Sequence, residues 1–216
     1  MKWPWQNKNP PELLSPAEGY NRWAATYGEE SNPIKDLSNT WIEKLLPDIQ
    51  GKTILDAGCG TGHFCQLLEK RQPSKIVGLD LSPAMIAQAR KNCPSGEFHS
   101  LDISIHPIGI DQYELVICAL VLGHIEDIRP VIGHLASALK KGGVLLISDF
   151  HPFLTLQHAK RTFKDHSGKS FEIQHYLHLF QDVIRSLQSY DIVLEVLEEP
   201  MWNNVPVIYA MKFKKQ

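Results

Sequence analysis

Short apolar runs rich in β-branched residues alternate with amphipathic helical patterns from residue 52 to residue 150. The pairs are KTILDAG with HFCQLLEKR, KIVGLD with SPAMIAQARKN, and YELVICAL with EDIRPVIGHLASALKK, followed by the run GGVLLISDF. Strands that alternate with helices in this way form a parallel sheet with right-handed helical crossovers. Two later runs, DIVLEVLEE and PVIYAMKFKK, are separated only by the short segment PMWNNVP, so we expect them to pair antiparallel at one edge. The sequence therefore predicts a doubly wound α/β fold with a mostly parallel sheet.

The 216 residues suit one domain with an appended amino-terminal segment. We predict an arm and a packing helix over residues 1–50 and the main domain over residues 51–216. The first 16 or so residues are rich in proline and polar groups, which indicates little regular structure there. The region of about 151–175 is polar and aromatic with little periodicity, and we interpret it as an insertion into the main domain.

Capping signals predict where several helices begin and end. Asn32 with Pro33 begins a helix that Pro47 stops, and Ser82 with Pro83 begins another. The segment Lys140–Gly143 resembles a basic last turn followed by a glycine stop, so we expect the helix before it to end there. Apolar spacing from Tyr176 to Leu187 predicts a further amphipathic helix.

Composition argues against several classes of partner. A net charge of −2 gives no electrostatic footprint for nucleic acid or an anionic membrane. No apolar run approaches the ~18 residues of a membrane helix, and the amino terminus lacks the apolar centre of a signal peptide, so we expect a cytoplasmic protein.

The four cysteines show no C-x-x-C spacing and are expected to be reduced and buried. His175 and His178 lack a third ligand nearby in the sequence, so we expect no metal site.

Three glycines on alternate positions, Gly58, Gly60 and Gly62, follow the first strand in the segment TILDAGCGTGHF. A glycine-rich turn between a strand and a helix lets the backbone approach a ligand closely. The third glycine comes one place too early for the dinucleotide pattern G-x-G-x-x-G, and no lysine completes a phosphate loop. Asp56, just before the turn, would repel a phosphate but would suit a ligand that carries positive charge.

Carboxylates also end the next two strands. Asp80 lies twenty residues past the glycines, where a carboxylate can accept both ribose hydroxyl hydrogens. Capping of the following helix is the alternative role for Asp80, although Ser82 is the better cap. Asp102 follows the third strand, in position to accept from an adenine amino group. The pattern indicates a nucleoside ligand with a cationic group.

The motifs LDAGCGTG, VGLDLSPAMIAQAR, LDI, YELVICALVLGHIED and LKKGGVLLISDF resemble, in order and at the usual intervals, those of the class I S-adenosylmethionine-dependent methyltransferases, in their small-molecule branch. The resemblance covers about residues 52–150. It implies a Rossmann-like sheet of seven strands in the order 3-2-1-4-5-7-6 with the last strand antiparallel. It also implies S-adenosylmethionine as cofactor, S-adenosylhomocysteine as its product, and a small-molecule methyl acceptor.

The same resemblance implies roles for individual residues. The three glycines would lie under the methionyl and ribose portions, with Asp56 near the methionyl end, and Asp80 would hold the ribose hydroxyls. The adenine would lie beside Leu81 and Met85 and between Asp102 and Ile103, while Ala119 and Leu120 would offer backbone near the methionine amine. The segment YNRWAATYGEE resembles a cofactor lid, which makes Tyr20, Trp23 and Tyr27 lid candidates.

Methyl transfer from a sulfonium needs alignment and exclusion of water more than it needs a strong catalytic group. For an oxygen or carbon acceptor a base helps, and His124 after the fourth strand and His151 after the fifth strand are the candidates. Residues 151–176 and Trp202 are expected to form the acceptor wall, through Phe153, Phe163, His166, Tyr176 and Trp202 itself.

Three other functions stay open at the level of sequence. A nucleic-acid methyltransferase would be expected to carry an N/D-P-P-Y/F motif after the fourth strand, where this chain has CALVLGHI. The glycine spacing disfavours a nicotinamide dehydrogenase. A non-catalytic protein that binds S-adenosylmethionine is harder to separate from an enzyme, because the sequence does not show turnover.

Overall fold

The computed structural model of the chain describes residues 11–28 and 32–216. Its strands and helices follow one another in chain order as β1 (Glu12–Leu14), α1 (Pro16–Trp23), α2 (Pro33–Leu45), β2 (Thr53–Ala57), α3 (His63–Glu69), β3 (Lys75–Asp80), α4 (Pro83–Asn92), β4 (Glu97–Ser100), β5 (Tyr113–Ala119), a 3-10 turn (Leu122–His124), α5 (Ile128–Ala138), β6 (Leu139–Phe150), α6 (Pro152–Leu156), β7 (Thr162–Lys164), β8 (Ser170–Ile173), α7 (Phe180–Gln188), β9 (Ile192–Glu198), β10 (Met201–Trp202), β11 (Val205–Pro206) and β12 (Ile208–Lys215).

A seven-stranded sheet forms the centre of the fold, in the order β4-β3-β2-β5-β6-β12-β9. Strands β2 to β6 pair parallel with one another, whereas β12 is antiparallel to both of its neighbours. This arrangement confirms the predicted order and the predicted reversal of the last strand. Because the carboxyl ends of parallel strands meet at one edge, the loops that follow β2, β3, β4 and β5 converge there.

Both faces of the sheet are covered by helices. Successive strand residues point to opposite faces, so Ile54 packs in a cluster with α2, α3 and α4, while Leu55 packs in a cluster with α5 and α7. Burial on both faces explains why the parallel strands appear in the sequence as nearly continuous apolar runs. In the described part of the chain, no helix has both the length and the apolar character that a membrane span requires.

The capping predictions for α2 and α4 are confirmed. The Asn32 side chain accepts hydrogen bonds from the backbone N–H groups of Ile34 and Lys35, and α2 ends at Leu45, before Pro47. The Ser82 hydroxyl accepts from the backbone N–H of Met85, with Pro83 in the first turn of α4. These caps satisfy backbone donors that a helix start leaves without partners.

The predicted end of α5 is wrong. The helix stops at Ala138, and Lys140–Gly143 belongs to the long strand β6. Gly142 has φ +71°, and the pairing register of β5 with β6 shifts at this point, as in a β-bulge. A bulge glycine and a helix-stopping glycine share the left-handed backbone, which is why the local sequence did not separate them. Helix α7 also begins later than predicted, at Phe180 rather than near Tyr176.

The arm and the insertion meet in a second, three-stranded sheet of order β1-β8-β7. The expectation of little regular structure in the first 16 residues is wrong for Glu12–Leu14, which pairs parallel with Phe171–Ile173. Residues 1–10 lie outside the described residues. A strand of three residues has too short a pattern to be recognised, and it forms here because Leu14 joins a buried cluster with Phe163, Phe171 and Ile173.

Gly62 brings α3 and α4 close together. A Cβ atom on Gly62 would lie 3.2 Å from the Cα atom of Ala89 on α4, and Gly62 has φ +84°. The backbone of α4 cannot give way easily, so both the close approach and the left-handed backbone require glycine here.

We therefore expect Gly62→Ala to destabilise the protein more than a matched substitution in open space. The left-handed backbone alone costs alanine about 1–2 kcal/mol, and the crowding against α4 adds about 1–3 kcal/mol. Gly142→Ala is the control, since Gly142 also has a positive φ but no other atom lies within 4 Å of its Cβ position. Urea unfolding measures both free energies, and equal losses in the two variants would contradict the packing role of Gly62.

Candidate functional site

A cavity of about 340 Å³ lies at the carboxyl edge of the central sheet, between the converging loops and helix α1. Its size is within the range of small-molecule sites. Of the residues that the sequence analysis proposed for the cofactor, its lid and the general base, eleven line it: Tyr20, Tyr27, Gly58, Gly60, Asp80, Leu81, Asp102, Ile103, Ala119, Leu120 and His124. The topology thus brings together side chains that are separated by more than one hundred positions in the chain.

Five residues of the same set are not among those that line this cavity: Trp23, Asp56, Gly62, Met85 and His151. Met85 is fully buried, and Asp56 is 1% exposed beneath the turn. Gly62 faces α4 instead. Trp23 stacks on Phe163 with ring centroids 5.0 Å apart.

The turn after β2 is held by main-chain hydrogen bonds to β3. The N–H groups of Gly58 and Cys59 donate to the carbonyl oxygen of Leu79, at 2.7 and 2.9 Å. A Cβ atom on Gly58 would collide with Val121, so this glycine is needed for packing. A Cβ atom on Gly60 would meet no other atom within 4 Å, and Gly60 lines the cavity. Of these two glycines, Gly60 is therefore the one whose missing side chain leaves room for a ligand.

Asp80 connects the glycine turn with the start of α4. Its Oδ2 accepts from the backbone N–H of Gly60 at 2.9 Å, and its Oδ1 accepts from that of Ser82 at 2.8 Å. Burial raises the pKa of Asp80, while the two backbone hydrogen bonds oppose that rise. Capping and cavity lining are therefore combined in one carboxylate, whose remaining lone pairs can accept hydrogen bonds from a ligand.

Asp56 lies behind the turn in a buried environment. Burial raises its pKa to about 7, and the nearby carboxylate of Asp80 adds to the rise. A carboxyl group with this pKa is partly protonated near neutral pH. The sequence analysis placed Asp56 near the cationic end of a ligand, whereas the structure buries it outside the lining of the cavity.

Asp102 lines the cavity beyond β4. Its Oδ1 accepts two hydrogen bonds from Ser104, from the backbone N–H at 2.9 Å and from the hydroxyl at 2.6 Å. These bonds orient the carboxylate and occupy the same oxygen. Ile103 follows as an apolar wall residue, so this side of the cavity combines an acceptor with an apolar surface.

Leu120 follows β5 with φ +59°, a left-handed backbone that is uncommon outside glycine. Its N–H donates to the carbonyl oxygen of Ser148 at 2.7 Å, which holds the conformation in place. Strained backbone of this kind concentrates at ligand-binding sites. Leu120 lies where the first cavity meets the second one, described below.

His124 links helix α1 to the insertion. Its Nδ1 lies 2.9 Å from the carbonyl oxygen of Gln174, which can only accept, so Nδ1 carries the proton and Nε2 is an acceptor. The hydroxyl of Tyr20 donates to Nε2 at 2.9 Å. Burial, followed by the charge of Arg161, lowers the pKa of His124 to about 4. The imidazole is neutral at pH 7, and its basic nitrogen is occupied by Tyr20.

His151 has a structural setting outside this cavity. Its Nδ1 accepts from the backbone N–H of Phe153 at the start of α6, and its Nε2 donates to Glu199 at 2.7 Å. Of the proposed acceptor wall, only Tyr176 lines the cavity. Phe163 is buried in the small sheet, and Phe153, His166 and Trp202 are exposed elsewhere.

A second cavity, of about 150 Å³, adjoins the first and shares five residues with it: Tyr20, Tyr27, Lys35, Leu120 and His124. Its remaining wall includes Trp23, Phe150, Lys160 and Arg161. The guanidinium of Arg161 lies 3.9 Å above the ring of Phe150 and donates to Asp149 at 3.2 Å. Sequence patterns gave no sign of Arg161 or Lys35, because neither belongs to a motif.

The two cavities differ in charge. The first is lined by the carboxyl groups of Asp80, Asp102 and Glu126, together with Lys35. The second is lined by cations and aromatic rings, and no carboxylate within residues 11–28 and 32–216 lines it. Two joined compartments of opposite charge can bind two different ligands side by side.

Comparison with known proteins gives a consistent result. The chain is 29% identical over 162 residues to an uncharacterized protein of Haemophilus influenzae, covering 68% of this chain and 63% of that protein. It is 34% identical over 135 residues to a malonyl-[acyl-carrier protein] O-methyltransferase of Acetivibrio thermocellus, covering 61% and 47%. The chain therefore spans less than two thirds of the length of either relative.

A solved S-adenosylmethionine dependent methyltransferase from Mesorhizobium loti has the same fold, with a TM-score of 0.71 at 20% identity. The superposition covers 84% of this chain and 99% of that one. The family model for the methyltransferase domain matches residues 34–190, which include the glycine turn and the other motifs of residues 52–150. By this match over more than half of its length, the chain belongs to the methyltransferase domain family.

Proposed function

We propose that this protein binds S-adenosylmethionine in the first cavity and transfers its methyl group to a small-molecule acceptor in the second. The observation that carries the proposal is the open space at Gly60 directly beside the Asp80 carboxylate. Membership of the methyltransferase domain family supports the same conclusion.

The residues of the first cavity fit S-adenosylmethionine by shape and by charge. Asp80 can accept from ribose hydroxyls, and Asp102 with Ile103 can accept from and pack against an adenine. The left-handed backbone at Leu120 stands at the boundary between the cavities, close to where a reactive methyl would have to lie. The excess of carboxylates suits a ligand with a sulfonium and an ammonium group.

When bound, S-adenosylmethionine would supply a methyl group attached to a sulfonium. The leaving group is the sulfur, which becomes a neutral thioether. The protein contributes alignment and exclusion of water. In this proposal Tyr20 and Tyr27 cover the cavity, and His124 holds the hydroxyl of Tyr20 through its neutral Nε2. His124 thus acts as a positioning residue, because its low pKa and its occupied nitrogen make it a poor general base.

A small acceptor is supported by the size of the second cavity. The Acetivibrio relative is named as an O-methyltransferase of malonyl-[acyl-carrier protein], and this name supports an oxygen acceptor. Turnover is tested by following S-adenosylhomocysteine release across a panel of metabolites. Tight binding with no turnover on any of them would favour a non-catalytic binding protein.

We expect Gly60→Ala to weaken S-adenosylhomocysteine binding by roughly tenfold or more. The added methyl would occupy ligand space, overpacking of this kind costs about 1–3 kcal/mol, and about 1.4 kcal/mol corresponds to tenfold in affinity. Calorimetry measures the affinity directly. Gly51→Ala is the matched control, because Gly51 has φ +69° and an equally open Cβ position, but lies before β2 at the opposite edge of the sheet.

The control variant should lose similar stability and keep its affinity. If both glycine variants bind as the natural protein does, Gly60 does not face the ligand.

We also expect Asp80→Asn to abolish recognition of the ribose hydroxyls. The natural protein should bind S-adenosylhomocysteine about tenfold more tightly than its 2′-deoxy analogue, as for one charge-assisted hydrogen bond. In Asp80→Asn that ratio should approach one, whereas the surface variant Asp111→Asn should preserve it. The ratio of the two affinities is used because a general loss of stability affects both ligands equally. An unchanged ratio in Asp80→Asn would show that another group binds the ribose hydroxyl.

A further inference from the structure

Three residues with cationic side chains line the second cavity. Arg161, Lys35 and Lys160 all line it, together with the rings of Tyr20, Trp23, Tyr27 and Phe150. Within the described residues, the carboxylates that pair with these cations are not among the lining residues: Asp149 binds Arg161, and Glu172 binds Lys160. A ligand in this cavity therefore meets the cations first.

The guanidinium of Arg161 is held rigidly. Its side chain is 7% exposed, one terminal nitrogen donates to Asp149, and the other lies 3.4 Å from Nε2 of His124. Its Nε–H is buried and has no acceptor among the residues that the structure describes. A buried donor without an acceptor is unfavourable, so the guanidinium keeps hydrogen-bonding capacity that the described residues do not use.

The balance of charged side chains at the second cavity suits a ligand with one negative charge rather than two. Two of the three cations already have a carboxylate partner. A planar guanidinium also matches the two oxygens of a carboxylate. The aromatic rings around it provide an apolar wall for the rest of the acceptor.

We propose that the methyl acceptor is a monocarboxylate with an apolar or aromatic body, bound through Arg161 and Lys35, and that the product is its methyl ester. This inference rests on the proposed function for its chemical step, although the preference for a carboxylate can be measured without it. In the step, a carboxylate oxygen forms a bond to the methyl carbon, the bond from that carbon to sulfur breaks, and its electron pair stays on sulfur. No proton is transferred.

The neutral state of His124 agrees with this step. An alcohol or phenol acceptor would have to lose a proton, and the basic nitrogen of His124 is already bonded to Tyr20. A carboxylate is ionised at neutral pH, so it needs no base. A carboxylate acceptor therefore needs no general base, a role for which His124 is not available.

The test compares phenylacetate, phenylacetamide and 2-phenylethylamine as probes that share an aromatic ring and differ in charge. Each is titrated by calorimetry into the protein, both with and without saturating S-adenosylhomocysteine. We expect phenylacetate to bind at least fivefold more tightly than the amide and the amine to bind most weakly. Equal affinity of acid and amide, or preference for the amine, overturns the carboxylate proposal.

Two sets of variants test which residues cause the preference for phenylacetate over phenylacetamide. Arg161→Gln combined with Asp149→Asn removes both members of the buried pair, so that neither charge is left alone. Lys35→Gln is a milder change that keeps the pair intact, and Lys44→Gln on the same helix is its control. The ratio of acid to amide affinity should fall to near one in the double variant, fall severalfold in Lys35→Gln and stay unchanged in Lys44→Gln. A ratio unchanged in both Arg161 and Lys35 variants also overturns the proposal.

The outcomes separate the two proposals. Binding of S-adenosylhomocysteine without a preference for the acid would leave the methyltransferase proposal standing and remove the carboxylate. A preference for the acid without binding of S-adenosylhomocysteine would support the anion-binding site and contradict the proposed cofactor.

Discussion

The pair of hydrogen bonds at Asp80 holds the candidate site together. One carboxylate accepts from Gly60 in the turn after β2 and from Ser82 at the start of α4, so it fixes the relative position of two loops that follow neighbouring strands. The Ser82 hydroxyl in turn donates to the side-chain oxygen of Asn21 on helix α1, at 2.6 Å. The amino-terminal segment is therefore anchored to the same point that shapes the glycine turn.

Two charge environments meet at this anchored region. Carboxyl groups line the side where the ends of β3 and β4 lie, while cations line the side formed by α2 and the insertion. His124 stands between them with its proton on Nδ1, fixed by Gln174. Burial lowers the pKa of this histidine, and the charge of Arg161 lowers it further, so a group that makes the second cavity cationic also helps to keep the imidazole neutral.

The sequence predicted the sheet and much of the first cavity because both depend on local and periodic signals. Parallel strands buried on both faces give apolar runs, and their order follows once the family resemblance is recognised. Gly58, Gly60, Asp80 and Asp102 each come directly after a strand, so their convergence follows from the parallel topology. The end of α5 was wrong because the glycine of a bulge and the glycine of a helix stop have the same backbone requirement.

The second cavity was beyond prediction for a different reason. Arg161 reaches it only because β7 and β8 form a hairpin that captures β1, a strand of three residues from the far end of the chain. Pairings of this kind bring together segments about 160 positions apart in the chain, such as Glu12 with Phe171, and leave no periodic trace in either segment. The parts of the site that differ among members of a fold family are built from such pairings, since loops and insertions vary while the sheet does not. The nucleoside side of this protein could therefore be recognised from motifs, whereas the chemistry of its acceptor side had to be inferred from the positions of Arg161, Lys35 and His124 in the folded chain.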